Sequence, residues 1–221
     1  KSGKTPIPCV LCNKYVKFDL LMTKALELGA SYLATGHYAR IVEEEGQLAL
    51  KKALDESKDQ SYFLYTLTQK ELSRLMFPLG SLSKDEVRDI ARELGLIPAE
   101  KPDSTGVCFV PGGDYRDYLA AQGGLVPEEG EIVDGEGKVL GKHKGVFSFT
   151  IGQRRGLGIA LGKPVYVTGI EPKRNRIVIG GQEEVYGRKL VAENITWIND
   201  SMLDDTLQVY AKVRYRHRES S

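Results

Sequence analysis

The sequence predicts an α/β fold whose first half alternates helix and strand and whose second half is glycine-punctuated β-structure. Three observations predict it. Apolar residues at helical spacing run up to Gly29 and again up to Gly95. Two Ser/Thr-x-x-Glu capping boxes, Thr68 with Glu71 and Ser83 with Glu86, mark helix starts in the same half. Beyond about Gly124 the apolar residues fall into short runs separated by glycine and turn residues.

In chain order, the spacing predicts a helix over 13–28, with Val16, Leu20, Ala25 and Leu28 on one face and Gly29 as its C-terminal cap. A strand over 31–35 leads into Gly36-His37-Tyr38. The second capping box opens an amphipathic helix through Val87, Ile90, Ala91 and Leu94. Residues 106–110 read as a short strand and 114–122 as a short helix, which completes a partly parallel α/β pattern. In the second half, Glu131-Ile132-Val133 followed by Asp134-Gly135 reads as a hairpin, and Val165 to Ile170 returns through Arg176 to Gly180 as another. A last strand is expected over 207–216, with Leu207, Val209, Ala211, Val213 and Tyr215 on an apolar face and Lys212, Arg214 and Arg216 on a basic one.

The bulk properties narrow the class of function. A chain of 221 residues with 41% hydrophobic content can bury a real core. It has no apolar run of the roughly 18 residues a membrane helix needs, and nothing after Lys1-Ser2-Gly3-Lys4 acts as a secretory signal, so the expected compartment is the cytoplasm, with no membrane partner. The formal net charge of +1 hides an asymmetry: residues 1–141 hold 17 basic and 22 acidic residues, and residues 142–221 hold 14 and 8. A basic C-terminal part suits contact with a phosphate backbone, although scattered Lys and Arg also make an ordinary solvated surface. The chain starts without a methionine, which leads us to expect further residues upstream.

Three cysteines do not make a disulfide scaffold, so each is read for packing, metal or chemistry. Cys9 and Cys12 form a C-x-x-C just ahead of the expected helix. A thiol there faces unpaired backbone N–H groups and the positive end of the helix dipole, a setting that favours the nucleophilic thiolate. Cys108 lies far off, in Asp103-Ser104-Thr105-Gly106-Val107-Cys108-Phe109. Spacing alone leaves three readings open: a zinc site of the three cysteines with His37, a redox pair, or two thiols that meet to pass sulfur. A buried inert cysteine is the plain alternative. Gly36 at the carboxyl end of a strand lets a ligand approach the backbone, whereas a lone histidine such as His37 is more often structural. Lys58-Asp59-Gln60-Ser61-Tyr62 and Gly152-Gln153-Arg154-Arg155-Gly156-Leu157-Gly158 each read as a solvated loop or as a contact to sugar and phosphate. Ser2-Gly3-Lys4-Thr5 imitates the end of a P-loop, but Pro6 breaks the helix that should follow.

Five strings carry a resemblance: Thr5-Pro6-Ile7-Pro8-Cys9-Val10-Leu11-Cys12-Asn13-Lys14, Ala34-Thr35-Gly36-His37-Tyr38-Ala39-Arg40, Lys58 to Tyr65, Asp103 to Phe109, and Gly152 to Gly158. In this order they resemble the tRNA-specific 2-thiouridylase family, known as MnmA or TrmU, and they cover nearly the whole chain. The resemblance implies a partial Rossmann-like PP-loop ATP pyrophosphatase domain of the adenine nucleotide alpha-hydrolase type over residues 1–123. A small β-rich central domain over 124–187 and the start of a C-terminal β-barrel over 188–221 would follow.

The implied reaction is ATP-dependent 2-thiolation of the wobble uridine of tRNA. The resemblance makes Cys108 the persulfide carrier and Cys12 its partner nucleophile, closing a Cys12–Cys108 disulfide or freeing sulfide. It places Gly36 at the nucleotide and His37 at the tRNA. It sets Ile7, Pro8 and Cys9 near the target base, and Lys58, Asp59, Gln60, Arg214 and Tyr215 along the tRNA. ATP is the implied cofactor, with room for Mg2+ and no resident metal site. A cysteine desulfurase or a sulfur-relay protein would deliver the sulfur. The family's S-G-G-x-D-S phosphate loop does not occur in these residues, so the chain by itself is expected to be inactive. Some members carry aspartate where this chain has Cys9. The competing reading is a non-catalytic RNA-binding or zinc-stabilised module, which stoichiometric zinc released by thiol reagents would favour.

Overall fold

The computed structural model describes residues 7–96, 107–110, 118, 121, 128–187, 189–199, 206–215 and 217–220. The chain divides into two compact units: an α/β unit of Ile7–Asp103 with Glu193–Ser221, and a β unit of Lys1–Pro6 with Ser104–Ala192.

The α/β unit opens with α1 (Pro8–Leu11), which has proline at its first position, where the missing N–H costs no hydrogen bond. α1 runs directly into a π-helix (Cys12–Leu21) and then into α2 (Met22–Glu27). Gly29, at φ +86°, ends the run as the left-handed cap expected there. The buried face differs from the one the 3.6-residue period predicts. Val16, Leu20 and Leu28 are exposed, while Val10, Asn13, Phe18 and Met22 are buried. An i→i+5 ladder keeps residues five apart, such as Asn13 and Phe18, on one face, which an α-helical period splits.

β1 (Leu33–Ala34) pairs in parallel with β4 (Leu75–Met76), Leu33 opposite Leu75. The expected strand over 31–35 is thus shorter, although the Thr35 N–H still donates to the Met76 carbonyl at 3.0 Å. An unanticipated antiparallel hairpin joins β2 (Ala39–Glu44) to β3 (Gln47–Lys52). Its turn residues Glu45 and Gly46 both have positive φ, the type I′ signature. Both capping boxes form: the Glu71 carboxylate accepts from the Thr68 N–H at 2.9 Å ahead of α3 (Gln69–Leu72), and Glu86 accepts from the Ser83 N–H at 2.7 Å ahead of α4 (Lys84–Glu93). Phe18, Met22, Ala39, Leu64, Leu67, Leu72, Leu75 and Phe77 form the core. Gly80 passes so close to β2 that a Cβ would lie 1.7 Å from the Ala39 carbonyl oxygen.

The strand expected over 207–216 does not form among the described residues. Residues 206–215 pair only through the Ala211–Ser220 bridge, and Leu207, Val209 and Val213 are exposed. The alternation there lacks a neighbouring sheet edge along which a ladder could run.

In the β unit, β5 (Gly130–Val133), β6 (Val139–His143), β7 (Tyr166–Glu171) and β8 (Arg176–Gly180) form one sheet in the order β6-β5-β8-β7. Both hairpins read from the sequence are present, the second turning through Asn175 at φ +50°. Their junction, β5 parallel to β8, was not legible. Ile132, Leu157, Val167, Ile177 and Ile179 make the core, and no sheet closes into a barrel among the described residues. Residues 107–110 form a turn rather than the expected strand, with the Val110 N–H donating to the Val107 carbonyl at 2.9 Å. Of the helix expected over 114–122, Tyr118 and Ala121 are helical and the rest lies outside the described residues.

Candidate functional site

In the α/β unit four of the expected segments converge on one network. It starts at the helix carrying the cysteines. Ile7 caps α1; Cys9 is exposed and Cys12, one turn further on, is half-buried, so both thiols lie within the helical run rather than ahead of it. Next to Cys12, Asn13 is buried, and its Nδ2 donates to the Phe63 carbonyl at 3.1 Å. One further turn along, Lys17 Nζ lies 3.5 Å from His37 Nε2.

His37 is buried between Phe18 and Phe77, with both ring centroids 5.7 Å away. An ammonium only donates, so Nε2 is the acceptor and the ring proton sits on Nδ1, 2.7 Å from Thr35 Oγ1. Burial, followed by the Lys17 charge, lowers its pKa from 6.5 to about 4. His37 is therefore a neutral ring with both nitrogens engaged, an arrangement that leaves no lone pair for a metal. Among the described residues no group of three His, Cys, Asp or Glu side chains is placed to hold one. Gly36, immediately before it, is exposed just past the carboxyl end of β1, and a Cβ there would meet only Leu79, at 3.6 Å.

The turn after β3 is the centre of the network. Asp59 is 4% exposed. Its carboxylate accepts from the Ala53 N–H at 3.1 Å, the Ser61 N–H at 3.3 Å and Ser61 Oγ at 2.8 Å, and faces Lys212 Nζ at 3.9 Å. Gln60 clasps the backbone of Tyr38: Oε1 accepts its N–H at 3.0 Å, and the Gln60 N–H donates to its carbonyl at 2.8 Å. Gln60 thereby ties the turn to the Gly36-His37 segment, and Asp59, through Lys212, ties it to the C-terminal residues.

Residues 211–215 and 217–220 lie across this turn. Tyr215 packs on Phe63 at 4.5 Å and Tyr62 at 6.1 Å, the Tyr62 hydroxyl donates to the Val213 carbonyl at 3.3 Å, and Lys52 pairs with Glu219 at 2.6 Å. Burial raises the Tyr62 pKa, and the nearby Arg214 opposes that shift. The turn that carries Lys58 and the Arg214-Tyr215 segment, far apart in sequence, are thus held together through Asp59, Tyr62 and Phe63. Sequence reasoning missed Asn13 and Lys17, and it placed Lys212 on the basic face of an expected strand without foreseeing its pairing with Asp59. A polar Asn and Lys one turn apart beside a C-x-x-C were the available signal for the first two. Cys108 is exposed and belongs to the β unit.

A HUP-type α/β domain followed by a PRC-barrel-type β domain is the class that this fold defines. The chain belongs to the family of the tRNA methyl transferase HUP domain, whose model matches residues 1–112, and the companion tRNA methyl transferase PRC-barrel domain matches residues 117–181. It is similar to the tRNA-specific 2-thiouridylase MnmA of Clostridium acetobutylicum, with 48% identity over 99% of this chain and 62% of that protein. The protein of the same name from Lachnoclostridium phytofermentans is 45% identical over 100% of this chain and 62% of its own length. That of Geobacter metallireducens is 50% identical over 97% and 58%. The chain therefore spans about three-fifths of the length of these relatives.

Proposed function

We propose that this chain is the thiol-bearing and tRNA-facing part of a tRNA-uridine 2-sulfurtransferase acting in the cytoplasm. The observation that carries the reading is the network that draws the Cys12 helix, Gly36, the 58–60 turn and Arg214-Tyr215 into one patch. Within it, Ile7, Pro8, Cys9, Lys58, Arg214 and Tyr215 face the RNA. His37 and Asp59, and Gln60 through its Oε1, hold those residues in place, while the remaining Gln60 amide N–H groups are left for the RNA.

ATP, accompanied by Mg2+, supplies adenylation of the uridine 2-oxygen and so makes it a leaving group. The open backbone at Gly36 is the feature of this chain that fits the nucleotide's approach. A cysteine desulfurase or relay protein loads the outer sulfur onto Cys108. That sulfur bonds to C2 as the activated oxygen departs. The Cys12 thiolate then attacks Cys108 Sγ, the sulfur–sulfur bond breaks towards the product, and a Cys12–Cys108 disulfide remains for an external thiol to reduce. The target base must leave the anticodon stack to reach these groups.

The test is Cys108→Ser in a full-length protein containing this chain. Nucleoside mass spectrometry should show the sulfur-for-oxygen exchange abolished while tRNA affinity is kept. Sulfur incorporated at the wild-type rate would sink the assignment, and an added methyl in place of sulfur would show a different reaction.

A further inference from the structure

The glycine-rich loop after residue 150 lies outside the network described above, and its construction is unusual for a solvated connection. Gly152, Gly156, Gly158 and Gly162 all have positive φ, between +70° and +80°. That backbone path is one side chains other than glycine rarely adopt. It is pinned at both ends of its first turn. The Gly152 N–H donates to the Val167 carbonyl at 2.7 Å, the Val167 N–H donates back to the Gln153 carbonyl at 3.0 Å, and Gln153 Oε1 accepts the Thr150 N–H at 3.1 Å. Gln153 Nε2 then donates to the Arg155 carbonyl at 2.9 Å, and Leu157 is buried in the core of the β unit.

The loop holds its charges apart from carboxylates. Lys142, Arg174 and Arg176 of the same unit each pair with a glutamate, namely Glu129, Glu171 and Glu131. Arg154, Arg155 and Lys163 are exposed and form no ion pair among the described residues. Arg154 and Lys163 line one open groove of about 620 Å³ with Gly156, Gly158 and Gly162. A backbone fixed by hydrogen bonds and a buried leucine, with the Arg154 guanidinium and the Lys163 ammonium on one groove and Arg155 exposed next in the chain, loses little entropy on binding and offers the cations that phosphate oxygens need.

We infer that the 152–163 loop is a second RNA-binding element, gripping the phosphodiester backbone without reading bases. The inference rests on the tRNA reading above and adds a contact on the β unit to those assigned on the α/β unit.

The experiment measures binding of an unmodified tRNA transcript over a salt series, for the unsubstituted protein, for Arg154→Gln/Arg155→Gln and for Arg154→Lys/Arg155→Lys. Loss of two phosphate contacts should weaken binding roughly tenfold near physiological salt and lower the slope of log affinity against log salt by about 1.5. The lysine pair should keep the slope. Binding by the unsubstituted protein with an unchanged slope and affinity in the glutamine pair would overturn the loop assignment and leave the tRNA reading standing. Failure of the unsubstituted protein to bind the transcript would instead overturn the tRNA reading, and the loop assignment with it. Equal weakening by both pairs would overturn the loop assignment too, by showing that the arginines pack rather than bind charge.

Discussion

The 53–63 turn of the α/β unit, which carries one cation, Lys58, and the 152–163 loop of the β unit, which carries Arg154, Arg155 and Lys163, both hold an irregular backbone in place, and they do so by opposite means. In the first, buried polar side chains fix the path: Asp59 gathers two backbone N–H groups and a hydroxyl, and Gln60 clasps Tyr38. In the second, positive-φ glycines, backbone hydrogen bonds and one buried leucine fix it. The first construction is costly to disturb because each donor left behind is buried and unsatisfied. The second is cheaper to disturb, because its strain is spread over single residues in open space.

The largest effect expected from that contrast is at Asp59. Asp59→Ala strips acceptors from the Ala53 and Ser61 N–H groups and leaves Lys212 facing an apolar site, at a cost of about 3–4 kcal/mol. Urea unfolding of the wild type and the variant measures it, and Asp59→Asn should recover part of the loss by keeping acceptor oxygen. A change within error in the alanine variant would show that the carboxylate is solvated and that the contrast is false.

Acid should act next, through one buried histidine in each unit. His37 has its pKa lowered to about 4 by burial and then by Lys17; that of His143 is also lowered, by burial, against the opposing hydrogen bond to the Asn175 carbonyl. His143 Nδ1 accepts the Gly145 N–H at 2.9 Å, an acceptor role that protonation removes. Both folded values lie below the unfolded one, so the unfolded chain takes up protons first. The stability contribution is complete above pH 6.5 and is lost as pH falls through that value, for His37 until about pH 4. For His37 this amounts to something on the order of 3 kcal/mol. Thermal melts between pH 7 and pH 4 for the wild type and His37→Gln check it; an unchanged acid slope in the variant would remove His37 from the account.

A smaller loss is expected at the loop. Gly158 sits at φ +71°, and a Cβ added there would meet nothing within 4 Å, so Gly158→Ala carries backbone strain alone, about 1 kcal/mol. A loss of several kcal/mol would mean that the loop is packed rather than merely guided by its glycines.

How much of this was legible follows from where the deciding forces act. Local signals were readable: both capping boxes, the glycine caps at Gly29 and Gly95, and the two hairpins of the β unit. The β2–β3 hairpin was missed because its turn is Glu45-Gly46 rather than an asparagine-glycine pair, although both residues take the positive φ such turns require. The helix face was misjudged because the π-helical hydrogen-bond pattern has no separate mark in composition. At the candidate site, the residue types at Cys12, Gly36 and Lys58 pointed to the segments that converge in the network. The roles of Asp59 and Gln60 did not show, because a carboxylate and an amide in a turn read as solvated until their backbone partners, Ala53 and Tyr38, are known.

The smallest effect should separate two ion pairs that hold the same stretch of chain. Lys212 meets Asp59, whose side chain is 3% exposed, whereas Lys52 meets Glu219 with side chains 48% and 30% exposed. Water and salt screen the second pair, and ordering two long side chains offsets most of what it gains. A double-mutant cycle with Lys52→Met and Glu219→Gln should therefore show coupling close to the error of the measurement, vanishing at high salt. The cycle of Lys212→Met with Asp59→Asn should keep measurable coupling there, because the carboxylate cannot be rehydrated without opening the turn. Equal coupling in the two cycles would mean that charge holds this stretch at both Lys212 and Glu219. Unequal coupling would place the hold at Asp59 and the Phe63–Tyr215 contact, with the Lys52–Glu219 end free to shift.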